Sequence, residues 1–169
     1  MHETESDLER LQALLDASYA GAGEHLLAIH TPERRLTAAA LTAELTDMRL
    51  LVLATTTASG RPVTGAVDGF FHRGAFWFGS SPTSARFTHL AARPAVSATH
   101  LPGEHLAVTV HGRAVPIDVH AAEFADFRRT LLGYYIPRYG AEWESFLDAG
   151  VAYARIDADR MFTFSMPEG

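Results

Sequence analysis

The residues best equipped for chemistry lie in one short run, Gly79-Ser80-Ser81-Pro82-Thr83-Ser84-Ala85-Arg86. A strand-like stretch leads into it, and Ser81-Pro82 reads as the N-cap and first residue of a helix. The start of a helix has unpaired N–H groups and a positive partial charge, so it favours an anion. Ser81, Thr83 and Ser84 add hydroxyl donors there, and Arg86, one turn in, adds a guanidinium in fork geometry. The group suits a phosphate, and it suits equally an ordinary capped helix with a solvated arginine. His89, one turn further, either reaches the same anion or only covers the helix.

Composition removes most other chemistry. The chain of 169 residues contains no cysteine, no lysine and no asparagine, and all 14 of its Lys/Arg cations are arginine. Disulfides, thiolate nucleophiles, thiolate metal sites, Schiff bases and a P-loop lysine are thereby excluded. A net charge of −6 with dispersed arginines argues against a nucleic-acid partner. No apolar run approaches the roughly 20 residues of a membrane span. The polar, acidic start, Met1 to Asp7, is unlike a secretory signal, so the expected location is cytoplasmic. Nine histidines invite a metal, but His100, His105 and His111 lack the helical spacing and carboxylate support of a zinc site, so no metal is expected.

Other residues have two readings each. Gly65 and Gly69 leave room for a flat ring beside the backbone, or permit a tight bend. Asp68 stands among apolar residues and needs a partner if buried, with Arg61 or Arg113 the candidates. Phe70, Phe71, Phe76, Trp77 and Phe78 suit core or dimer packing. Tyr134, Tyr135, Tyr139 and Trp143 suit packing of a helix on the barrel, or the cap of an apolar pocket. No catalytic acid or base stands out.

The elements that position these groups follow from periodicity. Ser6-Asp7-Leu8-Glu9 has the capping-box pattern and predicts a helix to about Ser18, ended at Gly21. A second helix is predicted from Thr37, and residues 1–47 form a helical extension expected to wrap a partner subunit. Residues 48–169 form the main domain. Leu50 to Thr55 predicts a strand buried on both faces, Pro62 to Phe71 a second, and Ala75 to Gly79 a third across the loop His72-Arg73-Gly74. After a short helix that stops before Pro94 come strands Ala95–Leu101 and Leu106–Pro116. A helix from about Ala121 and a strand pair, Val151–Ile156 and Arg160–Ser165, complete the order. This pattern predicts a mainly β chain with helices (α+β), a small closed or nearly closed antiparallel barrel.

Leu53-Ala54-Thr55, Gly60-Arg61-Pro62, Ser84-x-Arg86-x-x-His89-Leu90, Arg93-Pro94-x-Val96-Ser97 and His111-Gly112-Arg113-Ala114 occur in this order. The series resembles the pyridoxamine 5′-phosphate oxidase-like family of split barrels, which includes deazaflavin-dependent reductases. The resemblance covers about Leu50 to Val119, and Tyr153-Ala154-Arg155-Ile156 is similar to the strand that closes the family's barrel. It implies a six-stranded antiparallel split barrel that binds FMN and dimerises, with the cofactor at the subunit interface. By position, Ser84 and Arg86 match the family's phosphate-binding serine and basic residue. Val63-Thr64-Gly65-Ala66-Val67 matches the strand along the isoalloxazine ring, and Ser80 and Ser81 match the strand end that meets the ribityl chain and phosphate.

The departures are informative. The vitamin B6 oxidases have an arginine and a lysine on the second strand where this chain has residues near Gly65 and Phe70, and a glutamine near Ala107. Their arginine and histidine for substrate do not follow the last strand here. The expectation is therefore an oxidoreductase that moves a hydride to or from a small organic substrate other than a B6 vitamer. FMN is the expected cofactor, deazaflavin the alternative, and haem a less favoured ligand that some relatives bind. A non-catalytic flavin or haem carrier on the same barrel is the other class.

Overall fold

The computed structural model describes residues 3–166. Among them, six helices and six strands run in the order α1 (Glu5–Ala20), α2 (Glu24–Ile29), α3 (Ala38–Glu44), β1 (Arg49–Thr56), β2 (Pro62–His72), β3 (Ala75–Ser80), α4 (Ala85–Ala92), β4 (Ala95–Gly103), β5 (Leu106–Ile117), α5 (Ala125–Tyr139), α6 (Glu142–Asp148) and β6 (Ala152–Ser165). The strands form a closed antiparallel barrel in the order β1-β2-β3-β6-β5-β4. No helix among the described residues is long and apolar enough to cross a membrane.

Alternation along each strand builds two cores. Phe71, Phe76 and Phe78 point into the barrel with Leu51, Leu53, Val108, Val110 and Ile156. Their neighbours Phe70 and Trp77 point outward, under α5, against Phe127, Leu131 and Tyr135. The aromatic hairpin is thus shared between the inside and the outside of one sheet. Each fully buried ring contributes roughly 2–3 kcal/mol. Both residues of its turn, Arg73 (φ 52°) and Gly74 (φ 78°), are left-handed, the geometry a two-residue hairpin favours.

Several expectations are corrected. Strand β1 is buried on one face only: side chains alternate along a strand, so Leu51 and Leu53 are inside, whereas Leu50 is 60% and Val52 53% exposed on the opposite face. The expected final strand pair is one continuous strand, β6. His111 pairs with Arg160 and Gly112 with Ala158, so Asp159 is absorbed as a bulge instead of making a turn. The sequence pattern does not mark α2 and α6; both are short, six and seven residues, and α6 is anchored by the buried Leu147.

The helical extension packs on the barrel of its own chain. Leu11, Leu15, Leu41 and Leu45 join the barrel core. The Tyr19 hydroxyl accepts from the Thr163 N–H (2.9 Å) and donates to the Thr163 carbonyl (2.7 Å). The Ser18 hydroxyl accepts from the Met161 N–H (2.9 Å).

The cap of α1 is two residues earlier than predicted. Thr4 is the N-cap, and its box partner is Asp7, whose carboxylate receives the Thr4 N–H and hydroxyl and pairs with Arg10. Burial raises the Asp7 carboxyl, but the Thr4 hydrogen bonds and the Arg10 and Arg73 charges outweigh it and hold the pKa below the ordinary value. A depressed folded pKa means that stability is fully present above the unfolded value, about 3.9, and is lost as pH falls through the folded one. Wild type should exceed Asp7→Ala by about 1 kcal/mol in urea unfolding at neutral pH, and that margin should shrink as pH falls below the unfolded value and through the depressed folded one.

Candidate functional site

The end of β3 does not run directly into a helix. Thr83 N–H donates to the Ser81 hydroxyl (3.3 Å), and Ser84 N–H to the Ser81 carbonyl (3.0 Å), closing a turn over Ser81-Pro82-Thr83. The N-cap of α4 is therefore Ser84, not Ser81, and its hydroxyl accepts from the Phe87 N–H (3.4 Å). Ser81 and Thr83 are exposed, and their hydroxyls lie 3.0 Å apart. Two donors and the first turn of α4 thus meet at one solvent-facing corner.

Arg86 fixes that corner. Its guanidinium donates to the Ser80 hydroxyl (2.8 Å) and to the Ala66 carbonyl (3.1 Å), tying α4 to the end of β3 and the middle of β2. The fork crosses β2 over Gly65, where a Cβ would lie 3.0 Å from Nη2. A methyl there would have to displace the guanidinium. His89 does not turn toward the corner: its Nδ1 lies 2.9 Å from the Thr55 hydroxyl, inside the barrel wall.

The remaining stretch splits by face. Val67 is buried in the barrel core, and Gly65 shares its side of the strand. Thr64 and Ala66 alternate with them and lie on the exposed outer face, beside Ala54 and Val52 of β1. Val63, at the mouth, is 42% exposed. A flat ring laid on the outside of this sheet would touch Thr64 and Ala66 by side chain and the others only by backbone.

A cleft of about 490 Å³ opens next to the corner. Ala66, Gly79, Ser80 and Ser81 form its barrel side, and Tyr135, Trp143, Phe146 and Tyr153 its aromatic side. Trp143 stacks on Tyr135 with centroids 4.2 Å apart and planes 14° from parallel. Asp68 also faces the cleft; its carboxylate accepts from the Tyr135 hydroxyl (2.7 Å), so its partner is a tyrosine and neither Arg61 nor Arg113. Burial, then the Asp68 hydrogen bond and charge, push the Tyr135 phenol well above its ordinary pKa, and burial followed by Asp68 does the same to Tyr153. Both remain protonated donors at any physiological pH.

Sequence reasoning missed Phe146 and the Ala149-Gly150-Val151 bend that complete the cleft. The available signal was Trp143 and Phe146 one helical turn apart, after the Gly140 break. Two of the histidines weighed as ligands bond neighbouring strands instead: His100 Nδ1 meets the Leu50 carbonyl (3.0 Å), and His111 meets Ser97 (2.8 Å). Among the described residues, no three His, Asp or Glu side chains gather closely enough to hold a metal ion.

The family model described as pyridoxamine 5′-phosphate oxidase matches residues 37–162, well over half of the chain. None of the curated protein sequences matches it. Among solved structures, the chain is similar to a conserved hypothetical protein, Rv2991, from Mycobacterium tuberculosis (TM-score 0.65, 19% identity, 82% of this chain and 93% of that one). It is similar to a FAD-binding protein from Mesorhizobium loti (TM-score 0.58, 19% identity, 80% and 97%). It is also similar to HutZ, the heme storage protein from Vibrio cholerae (TM-score 0.59, 16% identity, 74% and 91%). Identities this low speak for the fold alone.

Proposed function

The chain belongs to the pyridoxamine 5′-phosphate oxidase-like family, and from that premise we propose that it is an oxidoreductase that binds a flavin, FMN first, at the Arg86 corner. The observation that supports this reading most is Arg86, spread over Gly65 at the mouth of an aromatic cleft. Arg86, the hydroxyls of Ser81, Thr83 and Ser84, and the first N–H groups of α4 hold the phosphate. Thr64 and Ala66, with the backbone of Val63, Gly65 and Val67, flank the ring; Ser80 meets the ribityl chain; His89 supports α4 from behind. When bound, the flavin supplies hydride transfer, which fits a site without an evident protein acid or base. The residues around it orient the substrate and keep water out.

The FAD-binding relative supports a flavin in general, and FMN in particular rests on the compact anion corner. A spectral titration with FMN, FAD, a deazaflavin and haemin tests the order. FMN should bind most tightly, with a shifted flavin band; binding of haemin alone would replace this reading with a haem-carrier role. Turnover with a reduced donor and an organic acceptor then separates enzyme from carrier.

The protein works as a homodimer on this reading. The outer face of β1 and β4 exposes Leu50, Val52 and Leu101. Such a patch, continuous with the ring-binding strand, fits a second copy of the chain. Val52→Arg would bury an unpaired charge in that contact and should convert dimer to monomer in analytical ultracentrifugation, with flavin binding lost as well. A monomeric wild type would refute it.

A further inference from the structure

We propose that the aromatic cleft takes the cationic head of an organic ammonium compound, which it holds between the rings of Trp143 and Phe146 and the Asp68 carboxylate. Of the residues that line the cleft, Asp68 alone carries a charge. Arg86 is not among them, and its guanidinium is engaged by the Ser80 hydroxyl and the Ala66 carbonyl on the barrel side of the cleft. The cleft and the corner are therefore opposite in sign.

Asp68 is half-buried, and among the described residues only the Tyr135 hydroxyl donates to its carboxylate. That bond occupies Oδ2 and leaves Oδ1 for a ligand. A carboxylate with one neutral donor, set in apolar surroundings, is poorly compensated, and a cation compensates it best. An aromatic wall adds to the selection, because ring faces attract ammonium groups within about 6 Å. Phe146 is 60% exposed at the rim, and its ring lies 6.3 Å from that of Trp143, which leaves an open approach. An anionic ligand would meet Asp68 and no positive partner. A neutral apolar ligand would fill the space but leave the carboxylate uncompensated. The Tyr135 hydroxyl, by donating to Oδ2, holds the Asp68 carboxylate in place.

That this cation is the substrate rests on the flavin reading above; that it binds does not. The probe is choline, compared with its neutral carbon isostere dimethylbutanol, titrated into the full chain at constant ionic strength with and without FMN and read by calorimetry. Choline should bind at least about tenfold more tightly than the isostere. Asp68→Asn should remove most of that preference, and Phe146→Ala, at an exposed site with little risk to folding, should reduce it about threefold. Equal affinity for the two probes in wild type, or no saturable binding of choline, would overturn the assignment whatever the variants do. FMN binding without a choline preference defeats this assignment alone, whereas a choline preference without FMN binding defeats the flavin reading alone.

Discussion

Arg86→Ala is expected to raise the FMN dissociation constant roughly thirtyfold. An arginine–phosphate hydrogen bond is worth about 2 kcal/mol, and each 1.4 kcal/mol is about tenfold. The loss has two parts, because the same guanidinium also ties Ser80 and the Ala66 carbonyl. Without it, the middle of β2 and the end of β3 lose the clamp that ties them to α4. Arg86→Lys separates the two contributions: it retains the charge but cannot reach both partners with a planar fork. A loss for lysine intermediate between wild type and alanine, with thermal midpoints unchanged, supports direct phosphate contact. Unchanged FMN affinity in Arg86→Ala would remove the corner from consideration as the phosphate site.

The largest expected loss of stability is at Gly112. A Cβ built there would lie 2.1 Å from the Asp157 carbonyl and 2.9 Å from the Ala158 Cα. Both are backbone atoms of β6 beside the bulge, so no side chain can yield. Gly112→Val must push β5 and β6 apart at the point where the barrel closes. Overpacking in a rigid site costs about 1–3 kcal/mol, and the disrupted ladder adds to it, so a loss of about 4 kcal/mol or failure to express folded protein is expected. Chemical denaturation of Gly112→Ala, the smaller intrusion, gives the graded measurement. A shift below about 1 kcal/mol for that variant would mean that the strands can part cheaply there.

Much of the barrel was legible because its signals are local. The alternation of β5, the two-residue hairpin and the proline before β4 each determine conformation within a few residues. What was not legible depends on distance. Leu50 and Val52 look like core residues in sequence, since an apolar run cannot say which of its faces another element covers. The bulge in β6 was taken for a turn, because Asp157-Ala158-Asp159 has turn composition and only pairing with β5 shows it to be strand. At the site, Ser84 and Arg86 stood out by type and spacing. The partnership of Asp68 with Tyr135 spans 67 residues of sequence and had no local mark.

The way α1 meets β6 has a wider consequence. Beyond its short pairing with β3, β6 leaves one edge without a neighbouring strand, and such an edge is an open template for other chains. Here the Ser18 and Tyr19 hydroxyls occupy the Met161 and Thr163 main-chain groups that a stranger would use. The helix thus serves as a guard against sticky self-assembly, and a chain shorn of it would bare that edge together with the apolar surface that Leu11 and Leu15 cover.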